Sequence, residues 1–210
     1  GFIDVDDLWE KNKLKQQIEL FNDEKTVLVY GNSWLKNEKN NKKKKFINYK
    51  VKDGYIYKDL IENYNVGILT TLIKKSLLKK SKVNFDSKYD IIGDYDFFIR
   101  LSKKYKFRFI KQPIATYRIH QKNLSTLKKE KEIKEFFYWI KKNKRILTKE
   151  DYFKIKEKIH KLEFINLRLK KSFFYALFYF MKFIKHIFSL KNIIILLTPV
   201  YLLKKFMWFV

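Results

Sequence analysis

Apolar positions in this chain come in short runs, separated by stretches rich in lysine and asparagine. Phe2 and Ile3 begin a short apolar strand that runs into Asp4, Asp6 and Asp7. Leu8, Trp9, Leu14, Ile18 and Phe21 then recur at mostly helical spacing, which predicts a helix over 8–21. Thr26-Val27-Leu28-Val29-Tyr30-Gly31 is a continuous β-branched and aromatic run, the pattern of a buried strand. Segments 57–63 and 76–80 read as short helices, and 68–73 as a strand that offers Thr70 and Thr71 to a ligand cleft. Gly93 frees a turn before a helix whose apolar face is Phe97, Phe98 and Leu101 and on which Asp96 and Arg100 pair across one turn. Two strands, 107–110 and 114–117, are separated by Lys111-Gln112-Pro113.

From Lys128 the pattern turns helical, with charged amphipathic segments at 128–146 and 149–169. The tail differs again. Ser172, Tyr175, Tyr179, Lys182, His186 and Ser189 step by three and four, a narrow polar stripe on a helix otherwise built of Phe, Leu, Ile and Met. Residues 193–203 are almost wholly apolar but contain Pro199, and Lys204, Lys205 and Phe206-Met207-Trp208-Phe209-Val210 follow. Neither segment supplies the ~20 apolar residues of a spanning helix without lysines. Lysines and aromatics beside an apolar face fit helices lying in a membrane interface. A core-packing helix pair or a short membrane hairpin would give the same pattern.

Composition narrows the partners. The net charge is +26, yet only five of the 48 basic residues are arginine, leaving 43 lysines. Recognition of bases and phosphates favours the bidentate arginine fork, so the charge argues for an anionic membrane surface or anionic substrate and for no specific nucleic acid. The block 36–45, mostly lysine and asparagine, reads as a solvated mobile loop. No cysteine is present, which excludes disulfides and thiolate metal sites.

The candidate chemistry lies at three places. Asp4 and Asp6 at the end of an apolar strand are hard oxygen donors suited to Mg²⁺ or Mn²⁺. Asp7 stands where a residue would cap the following helix. Asp94 falls at the start of the helix that follows Gly93, where the dipole favours a carboxylate. Arg118 and His120 alternate, so they share one face of an extended segment and could meet a diphosphate or a metal. Each has a plain structural reading as well: caps, solvated charge, or a lone histidine.

Taken in order, these pieces resemble the family 2 glycosyltransferases of the GT-A fold. The resemblance covers residues 1–126. It runs through Phe2-Ile3-Asp4-Val5-Asp6-Asp7-Leu8-Trp9 with Lys13-Leu14 and Gln17, then Val27-Leu28-Val29-Tyr30-Gly31-Asn32, then Thr71-Leu72-Ile73-Lys74-Lys75-Ser76. Gly93-Asp94-Tyr95-Asp96-Phe97-Phe98-Ile99-Arg100-Leu101 and Pro113-Ile114-Ala115-Thr116-Tyr117-Arg118-Ile119-His120, with Asn123 and Ser125, complete it. Gly93 departs from the pattern, which often has an acid at that position.

The resemblance implies an α/β fold: a partial GT-A domain lacking its N-terminal nucleotide-binding half and its central parallel strands, followed by a helical, amphipathic C-terminal region. The expected parts are 1–126 (the transferase half), 127–170 (charged helices) and 171–210 (membrane-associating helices). Asp6 is then the ligand of a divalent metal (Mn or Mg) and Asp4 supports the metal or the nucleotide. Asp94 is the general base, and Arg118 and His120 approach the diphosphate. The implied partners are a nucleotide-sugar donor, a glycan or lipid-linked acceptor and an anionic membrane surface. The implied location is peripheral, on the cytoplasmic face of a bacterial inner membrane. Without the strands that bind the nucleotide base, the 210 residues alone are expected to be inactive. The competing expectation is a basic, non-catalytic protein that binds membranes or nucleic acid.

Overall fold

The computed structural model describes residues 1–120, 123, 127–170 and 172–206, without the side chains of 204–206. Ser125 and residues 207–210, together with the side chains of Lys204 and Lys205, therefore lie outside what is described. The chain divides into two compact units, 1–127 and 128–210. The first is α/β and the second is helical. The segments expected as charged helices and as tail both fall in the second unit.

The first unit is organised on a mixed sheet. Strand β1 (Leu8–Trp9) precedes helix α1 (Lys13–Ile18), which is followed by β2 (Thr26–Asn37) and β3 (Lys43–Lys45). Helix α2 (Tyr57–Glu62), a 3₁₀ turn (Ile68–Thr70), β4 (Leu72–Ile73), α3 (Lys75–Ser81), α4 (Gly93–Ser102) and β5 (Lys106–Ile119) complete it. The sheet order is β1-β5-β2-β3, and β4 pairs with β2. Strands β2 and β5 run parallel from Thr26↔Lys106 to Asn37↔Ile119; the other pairings are antiparallel. The sheet thus holds one long parallel pair.

The apolar run of β2 is its core. Val27, Leu28, Val29 and Tyr30 are fully buried, as is Phe107 on β5. Helix α4 contributes Phe97, Phe98, Ile99 and Leu101. It carries acids in its first turn and Arg100 in its last, the charge order its dipole favours. Arg100 meets Asp96 at 2.6 Å, as the spacing predicts, and also donates to the Asn84 carbonyl at 2.6 Å.

Four expectations are corrected. Leu8 and Trp9 are not helical: they pair with Thr116 and Ala115 of β5, so the helix starts at Lys13. The basic block 36–45 is not a loop throughout. Strand β2 extends to Asn37 and β3 returns beside it. Its asparagines explain why: Asn37 and Asn40 accept from the Lys39 and Lys42 amides, and Asn41 adopts a left-handed φ of 56°. These are turn conformations. The exposed lysines of β3 then blunt an edge strand. Segment 68–73 is a turn and only two strand residues, because the Thr70 and Thr71 hydroxyls donate to the Gly67 and Ile68 carbonyls. Both threonines are buried and so not open to a cleft. Finally, 106–119 is one strand, in which Pro113 is accommodated by register shifts at Asn32. The Asn32 side chain bonds the Ile47 amide and carbonyl, filling the break in the ladder.

The second unit contains α5 (Lys129–Asn143), α6 (Lys149–Lys170), α7 (Phe173–Lys182), α8 (Ile184–Ile187), α9 (Leu190–Leu197) and α10 (Val200–Phe206). Phe164, Ala176, Phe180, Ile187, Ile195, Leu196 and Leu203 form its core. Buried Arg168 donates to the Leu196 and Thr198 carbonyls, at 3.0 and 2.6 Å, and so closes the end of α9. The expected single polar stripe is interrupted, since the tail breaks near Phe183, Phe188 and Thr198. Two of its members, Tyr179 and His186, sit against His160. Among the described residues, no helix is long and apolar enough to cross a membrane.

Gly31 marks the tightest approach in the sheet. A Cβ there would stand 2.6 Å from Ile114 Cδ1 and 2.7 Å from its Cγ1, and Ile114 is fully buried. Gly31→Ala should therefore destabilise the protein by ~1–3 kcal/mol, the usual range for overpacking. Chemical denaturation of variant and parent measures it.

Candidate functional site

The site begins with the register of a two-residue strand. Leu8 opposes Thr116 and Trp9 opposes Ala115. Extending the antiparallel pairing by two residues sets Asp6 beside Arg118. The hydrogen bonds follow suit: the Arg118 Nε donates to the Asp6 carbonyl, and the Arg118 amide donates to Asp7 Oδ1 at 2.9 Å. His120 Nε2 lies 2.7 Å from Asp6 Oδ2. Carboxylate oxygens of Asp4, Asp6 and Asp7 lie within 4.8 Å of one another. Asp4, Asp6, Arg118 and His120, separated by more than a hundred residues in sequence, thus come together.

Asn123 fixes the far side. Its Oδ1 accepts from the His120 amide at 2.6 Å and its Nδ2 donates to the Arg118 carbonyl at 3.2 Å. The near side is fixed from beneath. Trp9 Nε1 donates to the Leu69 carbonyl at 3.0 Å. Gln17, fully buried, donates to the carbonyls of both Val29 and Thr70 at 2.8 Å. Its Oε1 accepts from Lys13 at 2.7 Å, and the Lys13 ammonium lies 4.1 Å from the centre of the Trp9 ring. Burial pushes the Lys13 ammonium down to about 8. An open groove of about 420 Å³ adjoins Asp4, lined by residues 1–3 and by Ile68 and Leu69.

The three carboxylates differ. The hydrogen bond from His120 holds Asp6 below the ordinary carboxylate range. Asp7 is buried and does not cap α1, whose N-cap position is held by Asn12. Burial pushes its carboxyl up to about 6, opposed by the Arg118 amide and aided by Asp6 and Asp4. Its Oδ2 is buried without a hydrogen-bond partner. A buried orphan carboxylate oxygen beside two further carboxylates is a donor set that fits a hard divalent cation.

Asp94 stands apart from this group. At the start of α4, its Oδ1 accepts from the Tyr95 amide at 2.7 Å and its Oδ2 from the Tyr64 hydroxyl at 3.0 Å. Burial, then Asp94, push the Tyr64 phenol well above its usual value, so it remains a donor. Sequence reading missed Tyr64, which lies thirty residues from Asp94 with no pattern connecting them. A chain of rings relates helix α4 to the acidic segment. Phe97 stacks on Phe85 at 4.1 Å, and Phe85 meets Phe2 edge-on at 5.8 Å.

Asp7 gives a pH-dependent signature. Its folded value lies above that of a free carboxyl, so its contribution to stability is full below about pH 4 and is lost as pH rises through about 6. Asp7→Asn keeps an acceptor for the Arg118 amide and removes the charge. In metal-free buffer the variant should gain on the parent over that window, reaching ~1–3 kcal/mol above it. Urea midpoints of both proteins across pH test this. No protein-family model matches this chain and no curated protein matches it, so what the site can do has to be read from its own residues.

Proposed function

We propose that residues 1–127 form part of a GT-A-type glycosyltransferase that moves a sugar from a nucleotide donor to a glycan or lipid-linked acceptor, with inversion. The observation that carries this reading is the convergence of Asp4 and Asp6 with His120 and Arg118. Only the pairing of β1 with β5 brings these residues together. The resemblance named these four residues from their order along the chain, and a carboxylate cluster flanked by a guanidinium and an imidazole suits a diphosphate bound with a divalent metal.

In this reading Asp6, with Asp4, holds Mn²⁺ or Mg²⁺, and the buried free oxygen of Asp7 completes an oxygen-rich set. The metal would supply positive charge against the leaving diphosphate. Arg118 and His120 serve the same charge from the protein side. Asp94 takes the proton of the acceptor hydroxyl as that oxygen forms its bond to the anomeric carbon. The bond from that carbon to the phosphate oxygen breaks on the opposite side, and the nucleoside diphosphate departs. The Tyr64 hydroxyl and the Tyr95 amide orient the Asp94 carboxylate for that role.

Calorimetric titration of the 210-residue chain with Mn²⁺ should show binding that Asp6→Ala abolishes. Turnover is tested on the longest reading frame containing this chain, with a panel of nucleotide sugars. Asp94→Asn should lower transfer about 10²–10⁴-fold, the usual contribution of a general base, with donor affinity within about twofold of the parent. Metal-independent turnover, or a fully active Asp94→Asn, would sink the reading.

A further inference from the structure

Helices α7 and α9 of the second unit are apolar on two sides. Inward, Ala176, Phe180, Ile195 and Leu196 pack around Phe164. Outward, Phe174, Phe178 and Met181 recur at i, i+4 and i+7 along α7, and Leu190, Ile194 and Leu197 repeat that spacing along α9. These six side chains are 55–77 % exposed. Polar groups meanwhile turn in: His160 Nδ1 is hydrogen-bonded to the Tyr179 hydroxyl at 2.7 Å, and the His160 ring stacks on Phe183 at 4.1 Å and His186 at 5.0 Å. A helix packed against a core and facing water has the opposite polarity. Two regular outward stripes on neighbouring helices mark a surface meant to be covered.

The charge says by what. From Phe164 to the last residue there is no Asp or Glu. Lys182, Lys185 and Lys191 are exposed beside the two stripes. The complementary surface is therefore apolar and anionic together. Ten residues of α7 reach ~15 Å, about half of a bilayer's hydrocarbon thickness, so the helices suit a position in the plane of the interface. Nucleic acid fits less well, since Met181, Leu190, Ile194 and Leu197 have no ring face on which a base could stack. A second copy of a chain carrying +26 would be repelled.

We propose that the outward face of α7 and α9 docks on an anionic phospholipid bilayer, its apolar stripes in the headgroup layer and its lysines on lipid phosphates. This assigns a particular face and lining to the membrane association expected of the tail, apart from the transferase chemistry. It depends on residues 128–206 alone and would stand if no donor sugar bound.

The test uses the whole chain, sedimented with vesicles of phosphatidylcholine alone or mixed with phosphatidylglycerol. Binding should be at least about tenfold tighter to the mixed vesicles. Phe178→Ser with Ile194→Ser should weaken it about tenfold or more. Lys182→Gln with Lys185→Gln and Lys191→Gln should weaken it about fivefold per lysine and erase the preference for anionic lipid. All five positions are exposed, so circular dichroism should be unchanged; Leu190→Ser with Leu197→Ser repeats the test if the first apolar pair alters it. Equal binding to both vesicle types overturns the proposal, as does binding indifferent to both apolar pairs. Light scattering that shows a dimer broken by the same substitutions assigns the face to a second copy and also overturns it. So does a DNA duplex that binds in place of vesicles.

Discussion

The pairing of two residues of β1 with β5 is the constraint on which the candidate site depends. Leu8↔Thr116 and Trp9↔Ala115 set the phase of everything before them. Side chains alternate along a strand, so a slip by one residue would turn Asp6 away from His120. Two residues of ladder are too few to hold that register alone. The Glu10 amide donates to the Ile114 carbonyl at 3.0 Å, and the Trp9 indole reaches the Leu69 carbonyl. Beneath them Gln17 joins α1 to β2 and to the turn at Thr70. Each such bond is worth only ~1 kcal/mol net, but a buried carbonyl left without its donor loses ~1–3 kcal/mol, so the joint is hard to undo piecemeal.

The first unit therefore uses buried polar side chains where a larger protein would use more sheet. Gln17, Lys13 and Asn32 are nearly inaccessible to solvent and each joins segments far apart in sequence. Asp7 is the exception that points to chemistry. Its carboxylate is buried beside two others, one oxygen has no partner, and burial raises its proton affinity. Such a group is poorly matched to its surroundings unless positive charge arrives. In the second unit the misplaced polarity lies on the outside, in the apolar stripes of α7 and α9.

Much of this was legible in the chain. The run 26–30 is a buried strand because it is an unbroken stretch rich in β-branched residues and closed by an aromatic one. The helix from Gly93 followed from one apolar face and the Asp96–Arg100 spacing, and that pair is formed. The order of Asp4, Asp6, Asp94, Arg118 and His120 supplied the site candidates. Misreadings arose where side chains bond the local backbone. Asparagines made a hairpin of 36–45; threonine hydroxyls bent 68–71 into a turn. Local hydrophobic spacing carries no record of either bond. Trp9 and Leu8 fit a helical pattern equally well, and long-range pairing decided the matter.

The sequence by itself determined the α/β character of the first unit, the helical second unit, the acid-free apolar tail and the residue types available for chemistry. These follow from local composition and period, which each segment carries within itself. Tertiary structure alone decided that β1 meets β5, that Asp7 faces Arg118 rather than a helix end, and that Tyr64 holds Asp94. It also decided which side of the tail faces out. An amphipathic pattern shows that a helix has two faces, but only its neighbours select which is buried; here Tyr179 and His186 lie against His160 while Phe174 and Phe178 stay outside.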